Sequence, residues 1–121
     1  MAYNEESANR LRLAFLERGV TFEEKKMMGG LCFMVDNKMC MGTHIDKKTG
    51  ETLLMARLGA EQVQANIDQP GALPMDFTGR PMKDYLFINQ AGTEEDKAFG
   101  RWVDLALAFN PLAKASKKRK K

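Results

Sequence analysis

The 121-residue sequence predicts a two-layer α+β domain: an antiparallel sheet of five or six strands with three helices on one face. Three observations carry this expectation. The stretch from Lys25 to Thr43 is the most apolar in the chain, and Asp36-Asn37 divides it into two short runs. Asn and Asp tolerate positive φ, so the pair suits a tight hairpin turn. Helical spacing of apolar residues appears near both ends and in one short middle segment, and the strand-like segments between are joined by short turns, which makes neighbours antiparallel. The expected order is α-β-β-β-α-β-β-α, with room for an extra strand before the hairpin. Residues 1–112 form one domain and residues 113–121 a disordered basic tail.

The first helix is expected over residues 5 to 18. Asn4 can cap it, Glu5 and Glu6 sit in the first turn where the helix dipole favours negative charge, and Gly19 can end it. Ala8, Leu11, Phe15 and Arg18 recur at three- and four-residue spacing, with Leu16 beside them. Val20 to Met28 reads as extended, and the hairpin follows. Asp46 to Glu51 is a polar turn, and Thr52 to Leu58 a strand that Gly59 breaks. Ala60 to Asp68 reads as a short amphipathic helix carrying Val63 and Ile67. Pro70, Gly71 and Pro74 make a rigid loop, Met75 to Phe77 a short strand, and Thr78 to Pro81 a turn. Tyr85 to Ile88 does not alternate and reads as a strand buried on both sides. Thr93 caps the last helix, whose inward stripe is Phe99, Trp102, Val103, Ala106 and Phe109, and which ends before Pro111.

A two-residue loop at Asp36-Asn37 pairs Val35 with Lys38, Met34 with Met39, Phe33 with Cys40 and Cys32 with Met41. Paired residues share a face. One face then carries Cys32, Met34, Met39 and Met41, and the other Leu31, Phe33, Val35 and Cys40. The two cysteines point apart and should not bond to each other. Both faces are apolar, so the one without helices is expected to need a second layer, a partner or a ligand.

One domain of this length can bury a real core. No apolar run is long enough to cross a membrane, the start carries no secretory pattern, and two cysteines without a disulfide pattern point to a reducing, cytoplasmic setting. The formal charge of +3 belongs to the tail. The last eight residues hold six basic side chains and no acidic one, which leaves 13 basic against 16 acidic residues elsewhere. A folded surface built for nucleic acid is more often basic.

The segments Glu24 to Val35 (Glu-Lys-Lys-Met-Met-Gly-Gly-Leu-Cys-Phe-Met-Val) and Pro74 to Lys83 (Pro-Met-Asp-Phe-Thr-Gly-Arg-Pro-Met-Lys) resemble the signature of the TfoX N-terminal domain family, and Trp102 to Ala106 also fits. The likeness covers roughly residues 3 to 109. It implies the family's fold and no catalytic residues. Relatives include bacterial regulators of natural competence, which act on transcription with a second, C-terminal domain. Here only the lysine tail follows, so a stand-alone domain is expected.

Individual residues add candidate chemistry. His44 is the only histidine, and no carboxylate or nucleophile has a spacing that marks it as a partner, so a structural or surface role is expected. Cys32, Met34, Met39 and Met41 together offer soft ligands of the copper(I) kind, but flexible Met filling a core or interface is the expected reading. Neither a metal nor a cofactor is expected. Gly29-Gly30 suits a bend or bulge between strands better than a phosphate cradle. Lys25, Lys26, Arg57, Arg80 and Lys83 would form an anion pocket if they converged. The tail, with Lys117, Lys118, Arg119, Lys120 and Lys121, suits sequence-independent phosphate contacts. The expected function is a non-enzymatic protein-interaction and regulatory module, a homodimer docking through Cys32, Met34, Met39 and Met41 and meeting a further regulatory protein. The alternatives are nucleic-acid binding through the tail, and a small anionic ligand or a soft metal.

Overall fold

A computed structural model describes residues 3–27, 30–77 and 80–113, with side chains for all of these except 27, 74–77 and 80–82. Helix α1 spans Glu5–Glu17, followed by strands β1 (Glu23–Met27), β2 (Gly30–Val35), β3 (Lys38–Ile45) and β4 (Thr52–Arg57). Helix α2 (Ala60–Asn66) leads into β5 (Ala72–Phe77) and β6 (Arg80–Ile88). The one-turn helix α3 (Gln90–Thr93) and the long α4 (Asp96–Phe109) follow, with a 3-10 turn at Asn110–Leu112. The six strands form one antiparallel sheet in the order β1-β2-β3-β4-β6-β5. This is the expected α+β class, with the extra strand before the hairpin present as β1.

Local chemistry accounts for the element ends. The Asn4 side chain accepts a hydrogen bond from the Ser7 N–H at 2.9 Å, the expected N-cap. Gly19 ends the first helix region at φ +68°. At the far end Thr93 does not cap α4. Asn89 caps the short α3 instead, through its bond from the Ala91 N–H at 3.0 Å, and Glu95 stands at the α4 N-cap without a side-chain bond. The helical signal in this segment is one turn plus a break, which spacing alone merges into a single start.

The helices all serve one face of the sheet. Ala8, Leu11 and Phe15 of α1, Val63 of α2, and Phe99, Trp102, Val103 and Ala106 of α4 form one core with Leu31, Phe33, Met41, Leu54, Leu86 and Ile88 from the strands. Phe15, Phe22 and Phe33 contact ring to ring, with centroids 5.3 to 5.7 Å apart. The Trp102 indole N–H donates to the buried Gly92 carbonyl at 3.0 Å. The hairpin tip is tied to the end of α4: Asn110 donates to the Val35 carbonyl and the Lys38 ammonium donates to the Asn110 carbonyl, both at 3.1 Å. Leu16, expected beside the α1 stripe, is instead exposed, and Ala14 takes the buried position.

The β2–β3 hairpin turns on Asp36 (φ +58°) and Asn37 (φ +64°), the two positive values a type I′ turn needs. Val35 pairs with Lys38 and Met34 with Met39, as expected. The register then slips: Phe33 pairs with Met41, and Cys40 is left as the extra residue of a β-bulge. From that point every residue of β3 has the opposite parity to the regular pairing.

Candidate functional site

The slip redraws the sulfur-bearing face. Cys32, Met34, Met39 and Met55 form a buried cluster of strand residues, separate from the helix-side core, with Tyr85 and Phe87 of β6 packed against it. Met41 was expected on this face. It pairs with Phe33 and Ala56 and lies in the helix-side core, because the bulge at Cys40 reverses the alternation. Met55 takes the place assigned to it. Nothing in a reading of the hairpin alone could place β4 beside β3, so Met55 was missed.

Burial decides what this face can do. Met34 and Met39 are only 7% and 8% exposed, Met55 is 1% exposed and Cys32 fully buried, in a single copy of the chain. The apolar face expected to await a partner is closed within the chain itself.

Gly42 governs the geometry of the cluster. It stands between Cys32 on β2 and Met55 on β4. A Cβ there would lie 2.6 Å from Met55 Cε, so the Met55 thioether occupies the space a side chain would take. Met55 therefore reaches over Gly42 toward Cys32, while Met34 and Met39 face each other directly in the neighbouring row. Gly30 opens β2 at the junction with β1, where the bend between strands was expected, and it also meets a close approach: it pairs with His44, and an added Cβ would fall 2.5 Å from the His44 Cβ and against the Thr43 carbonyl. Gly29 lies outside the described residues.

Both thiols are poor nucleophiles. Burial pushes the Cys32 thiol up to about 11 and Cys40 up to about 12, the latter despite the opposing charge of Arg57. They sit in different clusters, as the parity argument required, and no disulfide joins them. His44 lies at the end of the same face, half-buried, with its ring 5.0 Å from Phe87 and edge-on to it. Burial lowers its pKa, and its buried Nδ1 has no hydrogen-bond partner.

The expected anion set does not gather. Lys25 and Lys26 are exposed on the edge strand β1, three strand spacings or about 14 Å from β4 across the sheet. Arg57 is largely buried, stacked 5.4 Å from the Tyr85 ring centre and 4.0 Å from an Asp84 carboxylate oxygen, with its Nε unpartnered. Lys83 is exposed, and the Arg80 side chain is outside the description, as is the whole tail with Lys117, Lys118, Arg119, Lys120 and Lys121.

Among the open clefts on the helix side, one is polar and one apolar enough to weigh as sites. A polar one of about 410 Å³ is lined by Ser7, Arg10, Thr52, Thr93, Glu6 and Glu94. Its one guanidinium already donates to the Thr93 carbonyl at 2.8 Å and to Asp96 at 3.2 Å, so it offers an anion little. An apolar one of about 360 Å³ lies between α2 and α4, lined by Leu58, Leu105, Phe109 and Leu112. The large apolar side chains most exposed among the described residues are Leu13 (60%), Leu16 (64%) and Leu112 (76%). No three His, Cys, Asp or Glu side chains among them gather as metal ligands. None of the helices described is long and apolar enough to cross a membrane.

No curated protein and no solved structure matches the chain. The TfoX N-terminal domain matches residues 14–110, from the last turn of α1 through the whole sheet to the end of α4. With the signature segments on β1–β2 and β5–β6 and the final helix in their expected places, the chain belongs to the TfoX N-terminal domain family.

Proposed function

We propose that this domain is a non-enzymatic regulatory module that works by protein contact in competence-type control of transcription. Family membership supports the regulatory part of the reading. The chemistry supports the non-enzymatic part: burial pushes both thiols up to about 11 and 12 and lowers the pKa of the one histidine, so none of the three is tuned toward a nucleophile or a base at neutral pH.

One observation carries the protein-contact part. Leu13 and Leu16 stand one turn apart on α1, both mostly exposed, on a helix whose opposite side is fully buried. Residues three apart on a helix form one surface patch, and apolar contact of this kind anchors interfaces. The homodimer expected from the sheet face is transferred to this patch, since Met34 and Met39 are already covered.

The test is a natural host lacking its own copy, complemented with the wild-type chain or with Leu13→Glu/Leu16→Glu. The double variant is expected to keep its melting temperature and lose the transcript changes that the wild type restores. Full complementation by the double variant, or no transcript change on loss of the protein, would overturn the reading.

A further inference from the structure

Sulfur is sorted between the two sides of the sheet. Among the described residues, all four members of the buried cluster on the helix-free face carry sulfur, Cys32, Met34, Met39 and Met55, while Leu53, buried on the same face at the His44 end, lies outside that cluster. The helix-side core has two such residues, Cys40 and Met41, among eighteen. A face filled only for volume has no need of that segregation, because Leu or Ile fills a flat sheet surface as well.

The placement of the four also suits a common ligand. Met34 and Met39 form a direct cross-strand pair, which sets their Cβ atoms about 5 Å apart. Cys32 lies two residues before Met34 on the same face, and Met55 reaches it across the gap that Gly42 leaves. One thiol and three thioethers are thus brought to one patch, walled by Tyr85 and Phe87.

We propose that this patch is a binding site for one soft monovalent metal ion, copper(I), held by the Cys32 thiolate with the thioethers of Met34, Met39 and Met55. Thiolate and thioether ligands select copper(I) over harder ions. Charge selects it again. A single thiolate offsets one positive charge, so the filled site is neutral in its apolar surroundings. Zinc(II) in the same place would leave a buried net charge, which is costly. Binding exchanges a proton for the ion: the Cys32 S–H bond breaks, the S–Cu bond forms, and one proton leaves to solvent without any change of oxidation state. Met34 and Met39, which retain slight exposure beside the hairpin turn, mark the side from which the ion enters.

The proposal is tested by anaerobic titration of the full chain with copper(I) against a competing copper(I) chelator, repeated with silver(I) as a redox-inert probe. One ion per chain, one proton released per ion, and sulfur-to-copper absorption in the near ultraviolet are expected. Met34→Leu and Met39→Leu keep the volume of the side chain and are expected to weaken binding at least about tenfold each, a ligand counting for no less than an outer-shell partner. Cys32→Ser should abolish it, and Cys40→Ser on the other side should leave it unchanged. Circular dichroism and melting curves establish that each variant is folded, and if Cys32→Ser is not, the Met34→Leu/Met39→Leu double variant decides. Failure of the folded wild type to bind at one to one, equal affinity in the folded leucine variants, or loss of binding in Cys40→Ser would overturn the proposal.

Discussion

The two sides of the sheet reach the same degree of burial by different means. The helix side is covered by three helices and filled with side chains of definite shape: three phenylalanine rings in mutual contact, branched aliphatics, and an indole fixed by its bond to Gly92. The other side carries no helix; its buried cluster is made of unbranched methionines and one small thiol, with Tyr85 and Phe87 packed on it and Leu53 and His44 at its end. Rigid shapes interlock and define one arrangement, whereas thioethers adapt to the space available. The first side therefore specifies the fold, and the second is free to carry function.

Removing a ring from the helix side should have the largest effect. Phe33→Ala is expected to cost about 3–5 kcal/mol in urea unfolding, the range for a fully buried Phe. Gly42→Ala probes the opposite side. Its Cβ would lie 2.6 Å from the movable end of Met55 and 2.9 Å from the Leu31 backbone carbonyl. Met55 can yield but the carbonyl cannot, so about 1–3 kcal/mol is expected. A Met55→Ala background should relieve the part due to the methyl, read in a double-mutant cycle as a double-variant cost smaller than the sum of the two single costs. Met39→Leu should be milder still, under about 1.5 kcal/mol. A Met39→Leu cost equal to that of Phe33→Ala would erase the distinction between a shape-specified side and an adaptable one.

The distinction was only half legible in the sequence. Local signals were strong: Asn4 as a cap, Asp36-Asn37 as a turn, and Leu86 and Ile88 with Tyr85 and Phe87 as a two-sided strand all stand where residue chemistry placed them. Paired residues near the turn followed the expected parity as far as Met34 and Met39. Beyond it the extra residue Cys40 reversed the pattern, and a bulge leaves no mark in composition. Met41 was assigned to the wrong side for that reason alone. Met55 and the failure of Lys25, Lys26 and Arg57 to converge share a different cause. Both depend on which strands lie side by side, a long-range property that spacing along the chain does not carry.

His44 provides the smallest test, at the polar end of the adaptable side. Its ring is edge-on to Phe87, its Nδ1 is buried without a partner, and burial holds its pKa below the ordinary 6.5, with Asp46 pulling the other way. In the unfolded chain the ring takes up a proton near pH 6.5; in the folded chain it does so only at lower pH. Between those two points the unfolded state binds more protons, so stability falls as pH drops through 6.5 and levels off below the folded pKa. The slope contributed by one group stays under about 1.4 kcal/mol per pH unit. Subtracting the pH profile of His44→Gln from that of the wild type isolates it from the carboxylates, including Glu24, which Arg12 holds low and which acts only at more acid pH. Superimposable profiles between pH 7 and 5 would mean that the ring is hydrated when folded, and that this end of the face is open to water.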